Sequence, residues 1–310
     1  MMALEVNNGL VPEYLYYLIT KEKLFKIADT STIPQINNKH INPYKVLLPP
    51  LPEQKKIARI LSTWDKAIET VEKLIENSQQ QKKALMQQLL TGKKRLPGFS
   101  GEWQKVRFSD VADIDSGFAF KSSDFSERED AIPIIRMSNL KFGTLDVINA
   151  AKVPSETIKG LERYQLHKMD FVFGMSGSLE NYAWILEHDL PCYLNQRVGR
   201  IRSKDENSQI FLTTLFISNE IKKKLVDKAA GAAQLNVSIN DVRNLRLKVP
   251  FYEEQKAISK LLLNSDVIIQ QYKKQNKKLK KEKQALMQQL LTGKRRVKVD
   301  EEDRSSTPVE

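Results

Sequence analysis

Four short clusters carry side chains of the kinds that bind nucleotides. They are Lys121, Ser122 and Ser123 in GFAFKSSDF; Arg136, Ser138 and Asn139 in RMSNL; Ser176, Ser178, Asn181 and Tyr182 in GMSGSLENYAW; and Asn195, Gln196 and Arg197 in NQR. Arg pairs with guanine edges, Asn and Gln with adenine, and Ser or Lys with phosphate. The same residue types also close turns through local hydrogen bonds to backbone. As a set they point to a surface that contacts a nucleic acid, while each alone is compatible with a turn.

Reaction chemistry is hard to assemble from this chain. Asn42-Pro43-Tyr44 lacks the second proline of the Asn-Pro-Pro-Tyr motif of adenine aminomethyltransferases, and no glycine-rich loop for a methyl donor precedes it. Glu53-Gln54-Lys55 has the acid-x-Lys spacing of some nuclease centres, yet it opens an amphipathic helix and has no upstream acidic partner for a metal. His40, His167 and His188 are scattered, without the spacing of a metal pair or a triad. Cys192 is the only cysteine, which leaves no intramolecular disulfide and fits a reducing compartment. No catalytic and no metal-binding residue is expected. The net charge of +12 points to a polyanionic partner. Without a long apolar run or a signal-peptide pattern, a soluble cytoplasmic protein is expected.

The elements that must position the four clusters begin with a duplicated stretch. Glu53 to Lys93 and Glu254 to Lys294 align at a constant offset of 201 residues, with no insertion or deletion between their ends. In the first copy Ile57, Leu61, Trp64, Ile68, Val71, Ile75, Leu85 and Leu89 follow the alternating four and three spacing of a coiled-coil seam, interrupted at Ser78 and Lys82. The second keeps register through Ile258, Leu262, Ile269, Tyr272, Leu279, Leu286 and Leu290, with Ser265, Asn276 and Lys283 in the seam. Gly92 and Gly293 stand where a helix C-terminal glycine belongs. A rod of this length, roughly 57 Å at about 1.5 Å per residue, needs a partner along its seam. Asp65, Glu69, Glu72 and Glu76 on one copy, against Lys273, Lys274, Lys277, Lys278, Lys280, Lys281 and Lys283 on the other, favour pairing of the copies with each other. An antiparallel pair is the simplest geometry, and solvated charged faces are the bland alternative.

The remaining chain divides around these rods. Residues 1–50 are too few for a core of their own; a short helix is expected over Leu10 to Ile27 and irregular structure over Ser31 to Pro49. PEYLYYLIT at 12–20 echoes QIFLTTLFIS at 209–218, and PQINNKHINPYKVLLPPLPEQKKI follows the plan of AQLNVSINDVRNLRLKVPFYEEQKAI. The repeat unit therefore includes the tail of a globular domain, and the first copy lacks that domain's beginning. Residues 51–95 and 251–296 are the two helices with their ends. The linker KKRLPGFSGEW follows Gly92, and residues 96–250 form one mixed α/β domain with strands near Gln104 to Phe108, Ile132 to Arg136, Asp170 to Gly174, Tyr182 to Leu186 and Val198 to Arg202, and a helix over Phe211 to Ala229. Residues 297–310 are charged and expected to be disordered.

With these residues in hand the chain resembles the specificity subunits of type I restriction-modification systems. The resemblance rests on LPPLPEQKKI, the repeated ALMQQLLTGK, and GFAFKSSDF, IPIIRMSNL, HKMDFVFGMSGS and YLNQRVGRIR in that order. It implies an α+β fold: one mixed α/β target-recognition domain plus two long conserved helices forming an antiparallel coiled coil. It also implies a non-catalytic reader of one half of a bipartite double-stranded DNA site, with helix length setting the unread spacer. Methylation subunits carrying S-adenosylmethionine and a restriction subunit using ATP and Mg would be its partners, with no cofactor on this chain. One departure stands out, because only the closing part of a first recognition domain is present. A half-sized specificity protein is expected, paired with a second copy of itself or completed by a separate N-terminal half. The alternatives are a truncated fragment that reads no sequence and a coiled-coil structural or interaction protein.

Overall fold

A computed structural model describes residues 6, 9–22, 28, 36–43, 45–204, 208–228 and 236–299. Its helices are α1 (Pro12–Glu22), α2 (Asn38–Ile41), α3 (Leu51–Leu89), α4 (Phe108–Val111), α5 (Gln209–Phe216), α6 (Asn219–Lys228), α7 (Ile239–Arg243) and α8 (Tyr252–Leu290). Two compact units result: Met1–Gln80 with Asp266–Glu310, and Gln81–Ser265. The two rods, α3 and α8, are each 39 residues long and each supplies residues to both units.

In the first unit α3 and α8 run antiparallel. Asp65 meets Lys283 at 2.5 Å and Glu72 meets Lys280 at 2.7 Å, while Asn276 donates to Glu72 at 3.3 Å, so residue numbers fall on one helix as they rise on the other. Ile57, Leu61, Ile68, Val71, Ile269 and Leu290 are buried; Trp64, Ile75, Tyr272 and Leu279 are half-buried. Two of the polar interruptions thus have partners: Asn276 and Lys283 answer the acidic stripe directly. The rest of that stripe behaves differently from expectation, because Glu69 pairs with Lys73 on its own helix and Lys278 with Glu282 on its own.

Helix α1 packs on this pair, with Tyr14, Tyr17 and Leu18 buried among Ile57, Leu61 and Leu290. The Tyr17 hydroxyl donates to Asp65 at 2.7 Å beneath the Lys283 ammonium, 5.0 Å from the ring; burial first, then this bond, raises its pKa. The expected α1 extension over Lys23 to Ile27 lies outside the described residues, as does the start of the irregular segment at Ser31 to Gln35. The same holds for the expected disorder beyond Val299.

The second unit holds eleven strands among its described residues: β1 (Gln104–Arg107), β2 (Ala112–Ser116), β3 (Ile132–Ile135), β4 (Leu140–Lys141), β5 (Thr144–Leu145), β6 (Lys152–Val153), β7 (Phe171–Gly174), β8 (Tyr182–Trp184), β9 (Tyr193–Leu194), β10 (Val198–Ser203) and β11 (Arg246–Val249). They form a four-stranded sheet in the order β2-β10-β7-β8, a three-stranded sheet β6-β3-β9, and the pairs β1-β11 and β4-β5. Phe108, Phe171, Phe173, Phe211 and Phe216 fill the main core together with Leu89, Ile258 and Leu262 from the rods. Phe108 begins α4 instead of ending β1, and the expected helix over Phe211 to Ala229 is two helices. Helix α5 stops at Phe216, and the Ser218 carbonyl accepts from Lys222 N to open α6, a local restart that hydrophobic periodicity does not register; Ala229 is outside the described residues.

Each rod ends as its glycine requires. Gly92 and Gly293 have φ of 69° and 70°, and the amides two residues beyond, Lys94 and Arg295, bond back to Gln88 and Gln289 at 3.1 Å. These left-handed ends satisfy carbonyls that the helix leaves open.

Candidate nucleic-acid interface

Strand direction gathers the four polar clusters in the second unit. β2 and β7 both pair antiparallel with β10 and therefore run parallel, so Ser116 and Gly174 end on one sheet edge. β3 and β9 are parallel and finish at Ile135 opposite Leu194. Backbone bonds then lace the loops that follow: Phe118 N donates to Leu194 O at 2.9 Å, Gln196 N to Phe118 O at 2.9 Å, Asn195 N to Ile135 O at 3.1 Å, and Met175 N to Arg197 O at 3.2 Å. Gly117 permits this lacing, because a Cβ there would lie 2.0 Å from Leu194 O.

Side chains at this edge divide into two roles. Lys121, Ser122, Ser123, Arg136, Ser138, Ser178, Gln196 and Arg197 are exposed or half-buried. Lys121, Arg136 and Arg197 form no ion pair with any described residue; the Arg136 guanidinium lies 5.1 Å over the Phe125 ring, which ties two loops together. Other members of the set make contacts within the domain. Asn139 is buried, accepting from Arg136 N at 3.0 Å and donating to Asp146 O at 3.1 Å. Tyr182 is buried and stacked on Phe171 with ring centroids 5.5 Å apart. Ser176 Oγ donates to Met137 Sδ at 3.2 Å, and Asn195 Oδ1 accepts from Arg197 N at 3.5 Å. Asn181 is half-buried, and its backbone carbonyl accepts from Gly174 N at 2.8 Å. Short polar residues next to strand ends serve the turns first.

A second basic feature escaped sequence reading. The register of β1 with β11 sets Lys105 opposite Lys248 and Arg107 opposite Arg246, all exposed and none ion-paired to a described residue. Like charges directly opposite cost stability. They line a cleft of about 1180 Å³ that also takes Lys83 and Lys93, has Leu90, Leu215 and Leu247 among its lining, and reaches Glu180 of the GMSGSLENYAW loop. Of the acids there, Glu180 pairs with Lys222 and Glu220 with Lys224 at 2.7 Å, while Asp110 accepts from Arg107 N at 2.8 Å. The alternations Lys105-Val106-Arg107 and Arg246-Leu247-Lys248 were the sequence signals, and the two strands lie far apart in the chain. Among the described residues no group of His, Cys, Asp and Glu is placed to hold a metal ion, and no helix is long and apolar enough to cross a membrane.

Known proteins share this architecture. Residues 1–77 and 100–281 match the family model described as type I restriction modification DNA specificity domain. A relative from Methanocaldococcus jannaschii, the type I restriction enzyme MjaVIII specificity subunit, is 32% identical over 315 residues, covering 96% of this chain and 74% of the relative. The EcoBI specificity subunit of Escherichia coli is 28% identical over 184 residues, 58% of this chain and 35% of its own length. Among solved structures, the S subunit from M. genitalium superposes with a TM-score of 0.56 at 19% identity, covering 91% of this chain and 73% of that one. The HsdS subunit from Thermoanaerobacter tengcongensis gives 0.51 at 18% identity, with 92% and 71% covered.

Proposed function

The chain belongs to the family of type I restriction-modification specificity subunits, which are not catalytic, and from that membership we propose that its second unit reads one half of a bipartite DNA site. The observation that carries this reading is the laced cluster of loops at the ends of β2, β3, β7 and β9, presenting Lys121, Arg136 and Arg197 as cations without an ion pair among the described residues, beside Ser122, Ser123, Ser138 and Gln196. Arg136 and Arg197 supply forks for guanine edges and Gln196 a partner for adenine, while the serines and Lys121 take phosphates. Lys105, Arg107, Arg246 and Lys248 hold the backbone alongside without regard to sequence.

The paired rods are the scaffold on which methylation subunits dock, and their length sets the unread spacer. Cofactors belong to the partners in this reading: S-adenosylmethionine to the methylation subunit, ATP and Mg to the restriction subunit, in the cytoplasm where DNA is met. A second half-site is read by a second copy or by a recognition domain completed in the first unit.

A mobility-shift assay with methylation subunits and randomised duplexes tests the reading. Selection of one short sequence is the expected result, with Arg136→Ala and Arg197→Ala each relaxing one position by about 1–3 kcal/mol. Binding that never discriminates sequence would leave a non-reading fragment or a coiled-coil interaction protein. Replacing Lys105 and Lys248 by Ala should weaken all duplexes alike and lower the salt slope by about 0.9 for each phosphate no longer neutralised.

A further inference from the structure

In the second unit one aromatic ring sits where the backbone least suits it. β4 and β5 are joined by two residues only, Phe142 and Gly143, between Lys141 and its partner Thr144. Both have left-handed backbone, with φ of 32° and 84°. Tight hairpins of this kind favour Asn-Gly or Gly-Gly, and a bulky side chain at the first position strains the chain. The ring gains little burial in return, because Phe142 is 69% exposed.

The hairpin is nonetheless held firmly. At its base Asn139 Nδ2 donates to Asp146 O at 3.1 Å and Asp146 N to Asn139 O at 2.9 Å; at its tip Gly143 N donates to Tyr182 O at 2.8 Å. The Phe142 ring leans on Tyr182, with centroids 5.8 Å apart and planes at 46°. Tyr182 is buried and pairs with Phe173 near the end of β7, so the tip is fixed to the strand end from which GMSGSLENYAW departs. Arg136 and Ser138 lie on the segment leading into β4, and Phe142 lines the same cleft as Lys105, Arg107, Arg246 and Lys248. A rigid apolar projection thus accompanies groups suited to base edges and to phosphates.

We infer that Phe142 is a wedge that enters the base stack of the half-site, parting two neighbouring base pairs while the cations of the cleft hold the backbone. Strain of this kind persists where the surroundings fix it and function uses it. Seating the ring between bases removes its exposed apolar surface from water, and the pinned hairpin leaves little ordering to be done on binding. Pyrimidine-purine steps, TA and CA/TG, part most easily. The wedge therefore reads one step by its deformability, where no side chain hydrogen-bonds to a base. The inference rests on half-site reading by the second unit and adds to it a specificity residue that works without hydrogen bonds.

Permanganate footprinting tests it on the full chain with its methylation subunits, bound to the duplex that the complex selects. Permanganate oxidises unstacked thymines, and each of these flexible steps holds a thymine on at least one strand. Reactivity should rise on binding at one such step in the half-site. Phe142→Ala should remove that rise and weaken binding about tenfold, the loss expected when an aromatic that stacks on a base is truncated. Phe142→Gly, which suits the left-handed backbone and so keeps the hairpin, should do the same, while Phe142→Tyr should preserve both the rise and the affinity. Sequence selection with no thymine whose reactivity depends on Phe142 would overturn the wedge and leave half-site reading standing. Weaker association of the methylation subunits by Phe142→Ala in the absence of DNA would assign the ring to a protein partner and overturn it as well. Failure of the unsubstituted protein to select any sequence would remove the reading and the wedge together.

Discussion

The first unit and the second are built on one packing scheme and differ in what is laid over it. Glu53, 5% exposed, is gripped by Arg296 at 2.5 Å in the first; Glu254, 2% exposed, is gripped by Arg95 at 2.5 Å in the second, and both residues of each pair obey the same offset. Gln54 and Gln255 each donate to the carbonyl of the proline five residues before, Pro49 and Pro250, at 2.8 and 2.9 Å. Ile57 and Leu61 repeat as Ile258 and Leu262, and Leu290 as Leu89. The difference lies in the cover: a recognition domain over one set, a single helix over the other. The rod junction is thus one packing scheme used twice, under two different covers.

The largest effect that could break this equivalence is a cavity. Leu61→Ala and Leu262→Ala, at positions 0% and 2% exposed, should each destabilise by about 2–5 kcal/mol, and hydrogen exchange should report the loss in the unit that holds the residue. Equal loss in both units from either change would show that the junctions are not independent. Next come the clamps. Arg95→Ala and Arg296→Ala each strand a buried carboxylate and should lower Tm, Arg95→Ala by more because its side chain is 25% exposed against 68% for Arg296.

Acid acts on the first clamp. The hydrogen bond from Arg296 holds Glu53 below the ordinary glutamate range. Its contribution is therefore present above the unfolded value, about 4.3, and is lost as pH falls through the lower folded value. Exchange of first-unit amides should rise below about pH 4, and Glu53→Gln should flatten that rise. The smallest difference concerns glutamine. Gln54 Oε1 accepts from Val11 N at 2.9 Å, whereas Gln255 Oε1 is buried with no partner among the described residues. Gln54→Ala should cost about 1 kcal/mol more than Gln255→Ala by thermal melt.

Much of this architecture was legible in the chain, and for a local reason. Seam residues recur every three or four positions, so Ile57 to Leu89 and Ile258 to Leu290 declare helix, face and length without tertiary help. Gly92 and Gly293 mark the ends because only the left-handed turn there needs glycine. The four polar clusters were visible as composition, yet Asn139 and Tyr182 were not separable from Arg136 and Arg197, since a turn former and a base reader share the same chemistry. The break between α5 and α6 was hidden for a similar reason: apolar periodicity continues through Phe216 and Ile217 while the backbone restarts.

What the sequence settled by itself was the duplication, the two equal rods, their opposite charges and the family signposts, all carried by near-neighbour spacing. Tertiary structure alone decided which loops share an edge, that four like charges face one another across β1 and β11, and that Tyr16 and Leu48 lie open where Thr213 and Val249 are covered. Those facts depend on strand direction and register between residues far apart in the chain, and neither is written in any one stretch of it.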